Sequence, residues 1–142
     1  MDTLHIGIFG EMTLDDPSHI APIIAEHIDE WKRRQSFEVR PSHIEIISVG
    51  ETKGVANEAI QFAKERGYAY FKVPLQEQRY KTSALWMRNA AIIEKINRLL
   101  IIRKPKKPQE YLLRLETRAR EKGIPIITAF LNADDSLSSW AR

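Results

Sequence analysis

The fold of this chain is decided by the stretch HIEIISVGETKG, which covers residues 43–54. Its first seven residues are rich in β-branched side chains and predict a buried strand over 43–49. Gly50 and Gly54 then enclose a short turn, and apolar residues at helical spacing follow it. A strand that runs through a glycine-containing turn into a helix places unpaired backbone N–H groups and the positive end of the helix dipole together. We therefore expect an anion site, most readily for a phosphate group, at residues 50–54.

Apolar runs alternate with helical patterns along the rest of the chain in the same way. Such alternation is typical of a parallel sheet with helices on both faces. Right-handed crossovers and a central first strand then give the strand order 3-2-1-4-5. The sequence thus predicts an α/β fold, a doubly wound, Rossmann-like sheet of five parallel strands. The strands are expected at 4–9, 43–49, 68–73, 99–102 and 124–130, and the helices at 17–35, 55–66, 84–96 and 109–122.

Length and composition indicate one domain. A chain of 142 residues can bury a core without the support of disulfide bonds, and this one holds no cysteine. We expect a single domain over 1–131 and a polar C-terminal tail over 132–142, with Trp140 as a docking point. No apolar run approaches the roughly 18 residues of a membrane span, and no leader pattern follows Met1. A cytoplasmic protein without a membrane partner is therefore expected.

The charge of the chain is mildly basic. The formal net charge of +3 suits an anionic partner. Part of the excess lies in a basic loop, Arg-Lys-Pro-Lys-Lys at residues 103–107. In one interpretation Lys104, Lys106 and Lys107 form a nucleic-acid-binding surface with the last helix. In the other, which we prefer, the loop is simply solvated.

The predicted topology places the candidate ligand site at one edge of the sheet. Ligands of doubly wound sheets bind beyond the carboxyl ends of the strands, where the winding reverses. Here that point lies between strands 1 and 4, beside Gly10 and Glu11. The turn glycines permit close approach of a ligand, Thr52 adds a hydroxyl and Lys53 a mobile charge. The turn matches neither the phosphate loop of NTPases, because Lys53 precedes Gly54, nor the dinucleotide fingerprint.

Several of these features together resemble a known superfamily. They are a glycine at the end of strand 1, the turn of residues 48–54, and Ala84 followed by Arg88 and Asn89 in the third helix. This combination resembles the SLOG superfamily, most closely its branch of small single-domain proteins of mostly unassigned function. The resemblance covers roughly residues 4–130. It implies a Rossmann-like domain that binds nucleotides or nucleotide-derived signals, and some members cleave a base–ribose bond.

The chain departs from the motifs of that superfamily at several positions. Glu11 and Met12 stand where the family has Ser-Arg, and Val49 replaces the first turn glycine. After strand 4, residues 104–107 occupy the place of a Gly-Gly-Thr loop. The glutamate of the phosphoribohydrolase branch therefore has no counterpart there. The chain keeps the motifs that the family uses for binding and lacks most of those that it uses for cleavage. We therefore expect binding rather than catalysis.

Four side chains are candidates for direct contact with the ligand. Arg88 is expected to clamp a phosphate or carboxylate with two hydrogen bonds, the alternative being a helix-surface arginine. Asn89 would bond a ribose or base edge, or else fix the loop after the turn. Glu11 would accept from ribose hydroxyls or act as a general base, the alternative being a solvated carboxylate. Glu51 is the second catalytic candidate.

We therefore expect the protein to bind a nucleotide or an ADP-ribose-like small molecule, in a sensor or sequestering role. A hydrolase of N-glycosidic bonds, with Glu11 or Glu51 as its carboxylate, is the first alternative, and a nucleic-acid-binding module is the second. No cofactor is expected, and the four histidines lack the spacing of metal ligands. A homodimer is the expected assembly. The predicted binding residues are Gly10, Glu11, Gly50, Thr52, Lys53, Gly54, Arg88 and Asn89.

Overall fold

A computed structural model describes residues 3–74, 84–106 and 108–141 of the chain. These residues form six strands and four α-helices. The strands are β1 (Leu4–Gly10), β2 (Ile44–Val49), β3 (Ala69–Val73), β4 (Arg98–Arg103), β5 (Ile126–Leu131) and β6 (Leu137–Ala141). The helices are α1 (Ile20–Arg33), α2 (Gly54–Arg66), α3 (Ala84–Lys95) and α4 (Glu110–Glu121). No helix within the described residues is both long enough and apolar enough to cross a membrane.

The strands form one sheet in the order β3-β2-β1-β4-β5-β6. The first five strands are parallel, whereas β6 is antiparallel to β5. This confirms the predicted α/β class and the order 3-2-1-4-5 for the parallel part. The predicted number of five strands was wrong, because residues 137–141 add a sixth strand where a polar tail was expected.

The sixth strand pairs through its backbone rather than through an apolar face. Ser138, Ser139 and Trp140 are all exposed. The preceding turn depends on Asp135, whose φ of 68° is a left-handed conformation that aspartate tolerates better than most residues. The chain then reverses, and the N–H of Asn132 donates to the carbonyl of Ser136 over 2.8 Å. A strand of this kind has no apolar alternation, so hydrophobic patterning does not detect it.

Apolar side chains from both faces of the sheet form the core. The helices α1 and α2 pack on one face, against residues that include Ile6 and Ile8. The helices α3 and α4 pack on the other, against residues that include Phe9 and Ile101. Neighbouring residues of a strand point to opposite faces, so Ile8 and Phe9 reach the two layers in turn. Both layers leave the carboxyl ends of the parallel strands, and the loops that follow them, at one edge.

The first helix starts at a capping sequence, Asp16-Pro17. The Asp16 carboxylate accepts the N–H of Ser18 over 3.2 Å, and Pro17 opens a short 3-10 turn that leads into α1. The predicted apolar face of α1 is buried, and it includes His27, which is only 3% exposed. Burial lowers the pKa of this imidazole, because the charged form loses its hydration. His27 is therefore a packed core residue.

Candidate ligand-binding site

The carboxyl ends of β1 and β4 are in direct backbone contact at Gly10. The register pairs Gly10 with Ile102, and the N–H of Glu11 donates to the Ile102 carbonyl over 3.0 Å. A Cβ at position 10 would lie 1.8 Å from that carbonyl oxygen. Only glycine fits, so the packing of the two strands by itself requires this residue.

The start of α2 is packed against the backbone of the loop after β1. The N–H of Val55 donates to the carbonyl of Glu11 over 2.8 Å. Gly54 has a φ of 84°, and a Cβ there would lie 2.6 Å from the carbonyl oxygens of both Glu11 and Met12. The Val55 N–H, next to the predicted anion site, is therefore already bonded within the protein. Gly54 allows this close packing as well as the turn.

The other residues of the turn lie in the open. Gly50, Thr52 and Lys53 are exposed, and the atom nearest to a Cβ on Gly50 would be the Cδ of Lys72, at 3.8 Å. Lys53 precedes α2 in an extended conformation. Thr52 can supply a hydroxyl and Lys53 a mobile ammonium group at the rim. Among the described residues, no neighbouring segment packs closely against Gly50 to fix the backbone of the turn around an anion.

Arg88 is the most unusual polar residue of this edge. It is only 7% exposed, although it lies in α3 beside the strand ends. Its Nε has no hydrogen-bond partner among the residues that the structure describes, and its guanidinium group lies 5.6 Å from the ring centre of Tyr111. Burial lowers the pKa of Arg88, and the neighbouring Tyr111 and Glu51 oppose that shift. An arginine in the protein interior is costly unless it is paired, which makes Arg88 a candidate for contact with an anionic group.

Asn89 is buried next to Arg88 and connects two helices. It is 1% exposed, and its Nδ2 donates to the carbonyl of Tyr111 at the start of α4 over 3.1 Å. Its Oδ1 has no partner within the described ranges. The Asn89 amide thus fixes the start of α4, whereas one of the two predicted alternatives had it fix the loop after the turn.

Arg88, Glu51 and Glu11 all lie near Tyr111. Burial raises the pKa of the Tyr111 hydroxyl, Arg88 lowers it, and the negative charges of Glu51 and Glu11 raise it further. The Oε1 of Glu11 also accepts the N–H of Lys104 over 2.8 Å, which fixes this carboxylate against the loop after β4. The predicted residues Glu11, Glu51 and Arg88 thus share one neighbourhood.

Tyr111 is the member of this cluster that the sequence interpretation missed. It is the second residue of α4, just after the loop that leaves β4. Because β4 is parallel to β1, this loop begins at the candidate edge, and an aromatic residue at the far end of the loop was a usable signal. The apolar pattern of α4 marks only Leu112, Leu115 and Ala119, which form its buried stripe.

A cavity of about 350 Å³ lies beside Arg88, between β3 and α3. Its apolar walls include Phe71, Val73, Met87 and Ala91, and the charged residues Arg88, Glu94 and Lys95 also line it. Ligand sites in proteins are commonly apolar hollows with a few polar groups that fix orientation. The cavity therefore adds an apolar compartment to the charged edge.

The basic loop is largely engaged in the structure of the protein. The Nζ of Lys104 lies 3.6 Å from Oδ1 of Asp135 and 3.9 Å from a carboxylate oxygen of Asp15. Asp135 is fully buried, and its Oδ2 accepts the N–H groups of Asp15 and Asp16. Arg103 donates to the carbonyls of Lys104 and Lys106. The β5–β6 turn thus holds the loop after β1 in place, and Lys104 is not a free cation, while Lys107 lies outside the described residues.

Histidine, cysteine and carboxylate side chains are the usual metal ligands of proteins. Within the described part of the chain, no group of three or more such side chains is arranged to hold a metal ion.

Comparisons of the sequence with models of protein families and with curated proteins find no match. Membership of the SLOG superfamily stays a prediction from the sequence motifs, and the candidate site is described by its geometry alone.

Proposed function

We propose that the protein binds a nucleotide or an ADP-ribose-like molecule at the edge formed by Glu11, Glu51, Arg88 and Tyr111. The carrying observation is Arg88, which is buried, has an Nε without a partner in the described structure, and lines a cavity. A guanidinium group removed from water gains most from an anion that can accept two hydrogen bonds. Phosphate and carboxylate groups have that geometry.

In this proposal the phosphate is bound mainly by side chains. The Val55 N–H at the start of α2 is already bonded to Glu11, which leaves less of the helix terminus for a ligand. Arg88 supplies the fixed charge, and the exposed Lys53 supplies a mobile one from the rim. The start of α2 still contributes the positive end of its dipole.

The two carboxylates suit the sugar of such a ligand. The Glu11 carboxylate is fixed by the hydrogen bond that it accepts from the Lys104 N–H. Glu51 lies near enough to Arg88 for its negative charge to raise the pKa of the arginine. Carboxylates repel phosphate but accept hydrogen bonds from ribose hydroxyls. The proposed orientation therefore places phosphate at Arg88, ribose at the glutamates and the base in the cavity beside Phe71 and Met87. The role is ligand sensing or sequestration.

The test is thermal unfolding with AMP, ADP and ADP-ribose, each titrated to millimolar concentration. A ligand at one hundred times its Kd stabilises the folded state by about 2.7 kcal/mol, which raises Tm by several degrees. We expect at least one of the three ligands to raise Tm of the parent and not that of Arg88→Met. Arg33→Met, at an exposed arginine of α1, is the matched control and should keep the full shift. Equal shifts in the parent and Arg88→Met would contradict the site, and no shift in the parent would contradict the function.

A second candidate is hydrolysis of an N-glycosidic bond. The observation that favours it is the pair Glu11 and Glu51 near one buried arginine and tyrosine, because such bonds are cleaved with carboxylate assistance. Free base released from AMP, NAD or ADP-ribose is measured by chromatography. The enzyme requires release by the parent that falls at least a hundredfold in Glu11→Gln/Glu51→Gln. Release at the rate of the double variant would leave binding as the function.

A further inference from the structure

A groove separates the outer surfaces of α3 and α4, away from the candidate ligand site. Its volume is about 640 Å³. Trp86 and Ile93 line it from α3, and Leu113 lines it from α4. Trp86 is 43% exposed and Leu113 is 48% exposed. Exposed apolar side chains on two adjacent helices that are rimmed by polar residues are a feature of interaction surfaces.

Arginine side chains hold the tryptophan of this groove in position. The guanidinium group of Arg118 lies 3.7 Å from the ring centre of Trp86, and that of Arg114 lies 5.5 Å from it. A cation over an aromatic face is attracted by the ring electrons. These contacts order the Trp86 side chain before a partner binds, which reduces the conformational entropy lost on binding.

The charges around the groove have one predominant sign. Arg114, Arg118 and Lys122 line it, against a single carboxylate, Glu121. Arg114 pairs with Glu110 at 2.7 Å, but both side chains are more than half exposed, and such pairs contribute little. Within the described residues, Arg118 and Lys122 have no carboxylate at ion-pair distance. The groove therefore combines an apolar floor with a rim in which basic side chains outnumber acidic ones.

We propose that this groove binds an acidic amphipathic helix of another protein. The segment from Leu113 to Glu121 spans about 12 Å at 1.5 Å per residue, which is close to two helical turns. A helix docked there presents apolar anchors at positions i, i+3 or i+4, and i+7 to the floor. Aspartate or glutamate residues beside those anchors meet the basic rim.

Charge and shape favour this occupant over two others. A second copy bound by two-fold symmetry would bring two copies of the same basic rim into one interface, because such an interface uses one patch twice. A single-stranded nucleic acid needs open aromatic faces on which its bases stack. Here Arg118 already covers Trp86, and Ile93 and Leu113 offer aliphatic contacts. A helix with aliphatic side chains flanked by carboxylates would contact the apolar floor with the first and pair with the basic rim through the second.

The experiment selects partners from a defined set of molecules. The full chain is immobilised and screened against a displayed library of random 16-residue helical peptides. We expect selected peptides with apolar residues at i, i+3 or i+4, and i+7, flanked by Asp or Glu. The best peptide is labelled, and its Kd is measured by fluorescence anisotropy. Arg118→Glu and Leu113→Ser should each raise this Kd at least tenfold, whereas Arg33→Glu in α1 should change it less than twofold.

A charge exchange separates recognition from damage to the fold. A second peptide carries Lys in place of every Asp and Glu of the first. It should bind the Arg114→Glu/Arg118→Glu variant at least tenfold more tightly than it binds the parent. Circular dichroism confirms that each variant is folded, and Leu113→Ser, at an exposed position, serves if the double variant is not. Gain of binding by the exchanged pair has no explanation in simple destabilisation.

Other results would overturn the proposal. These are a library without enrichment, selected peptides that lack the acidic pattern, or a Kd insensitive to both Arg118→Glu and Leu113→Ser. A dimer seen by sedimentation that Leu113→Ser dissociates would assign the groove to a second copy. Displacement of the peptide by a twelve-residue oligothymidine, with affinity falling steeply as salt rises, would assign it to nucleic acid.

Discussion

The start of α2 and the neighbourhood of Arg88 were predicted to form one site, and the structure gives them different physical characters. At the start of α2, Gly54 and the Val55 N–H are packed against the backbone of Glu11 and Met12. At Arg88 a charged group is buried with an atom that has no partner in the described residues. In the first region the Val55 N–H already has a partner without a ligand, whereas in the second the Arg88 Nε has none within the described residues. A glycine-rich turn can thus be required for packing, while the polar group that needs a partner identifies where a ligand would act.

The largest expected effect is a loss of stability on substitution of Gly10, with Gly50 as its control. Gly10→Ala places a Cβ 1.8 Å from the Ile102 carbonyl oxygen, and that atom belongs to the backbone of a paired strand and cannot move away. We expect the free energy of unfolding to fall by about 4 kcal/mol or more. Gly50→Ala is the matched control, since its new Cβ meets nothing closer than 3.8 Å, and a change within about 0.5 kcal/mol is expected. Urea unfolding measures both, and equal losses would show that packing at Gly10 is not the reason for its glycine.

A smaller loss is expected at Gly54. Gly54→Ala must adopt a φ of 84° and also meet two carbonyl oxygens at 2.6 Å. Left-handed backbone costs about 1–2 kcal/mol for a residue with a Cβ, and overpacking adds about 1–3 kcal/mol. Gly67→Ala has a similar φ of 71° with no atom within 4 Å, so it should cost only the backbone term. If the two substitutions cost the same in urea, the contact with Glu11 and Met12 contributes nothing to stability.

Arg88 should respond in the opposite direction. Arg88→Met keeps the length of the side chain and removes a buried charge whose Nε lacks a described partner. Well-packed apolar replacements of buried charges are often neutral or stabilising. We expect the free energy of unfolding to be unchanged or to rise by up to about 1 kcal/mol, while ligand stabilisation is lost. Binding sites commonly retain residues that lower stability in this way.

The control for that substitution is Arg33→Met, at an arginine whose side chain is 66% exposed. It should change the free energy of unfolding by no more than about 0.5 kcal/mol and leave any ligand effect intact. A loss above 1 kcal/mol in Arg88→Met alone would contradict the comparison. Arg88 would then be a structural residue, satisfied by its contacts with Tyr111 and Glu51.

The fold could be predicted from the sequence because its signals are local and repeated. The strand over 43–49 and the Asp16-Pro17 helix start were marked by β-branched residues and by a capping sequence, and both are present. β6 could not be predicted, because its pairing uses backbone hydrogen bonds and a turn at Asp135 rather than apolar alternation. Hydrophobic periodicity reports burial, and an edge strand with a polar face has little of it.

The candidate site could be located from topology but not resolved from it. The parallel order placed Glu11, Glu51 and Arg88 at one edge, as the structure has them. The bond from Val55 to Glu11 could not be foreseen, because it depends on how closely the loop after β1 approaches α2. The same holds for Asp135, which reaches the loop after β1 from 119 residues away in the chain. Long-range polar contacts leave no periodic signal in a sequence.

The smallest expected effect concerns the pH dependence of Tyr111. Burial raises the pKa of this hydroxyl in the folded state, so at alkaline pH the unfolded chain ionises first. Its contribution to stability is complete below the ordinary tyrosine pKa, near 10, and is lost as pH rises from there through the folded pKa. We expect the parent to lose more stability between pH 9 and pH 11 than Tyr111→Phe does. Urea midpoints of both proteins at each pH provide the measurement, and the difference between them removes the contribution of other tyrosines and lysines. Parallel curves would mean that Tyr111 is as well hydrated as in the unfolded chain, and the Arg88 edge would then be a wet surface rather than a site partly withdrawn from water.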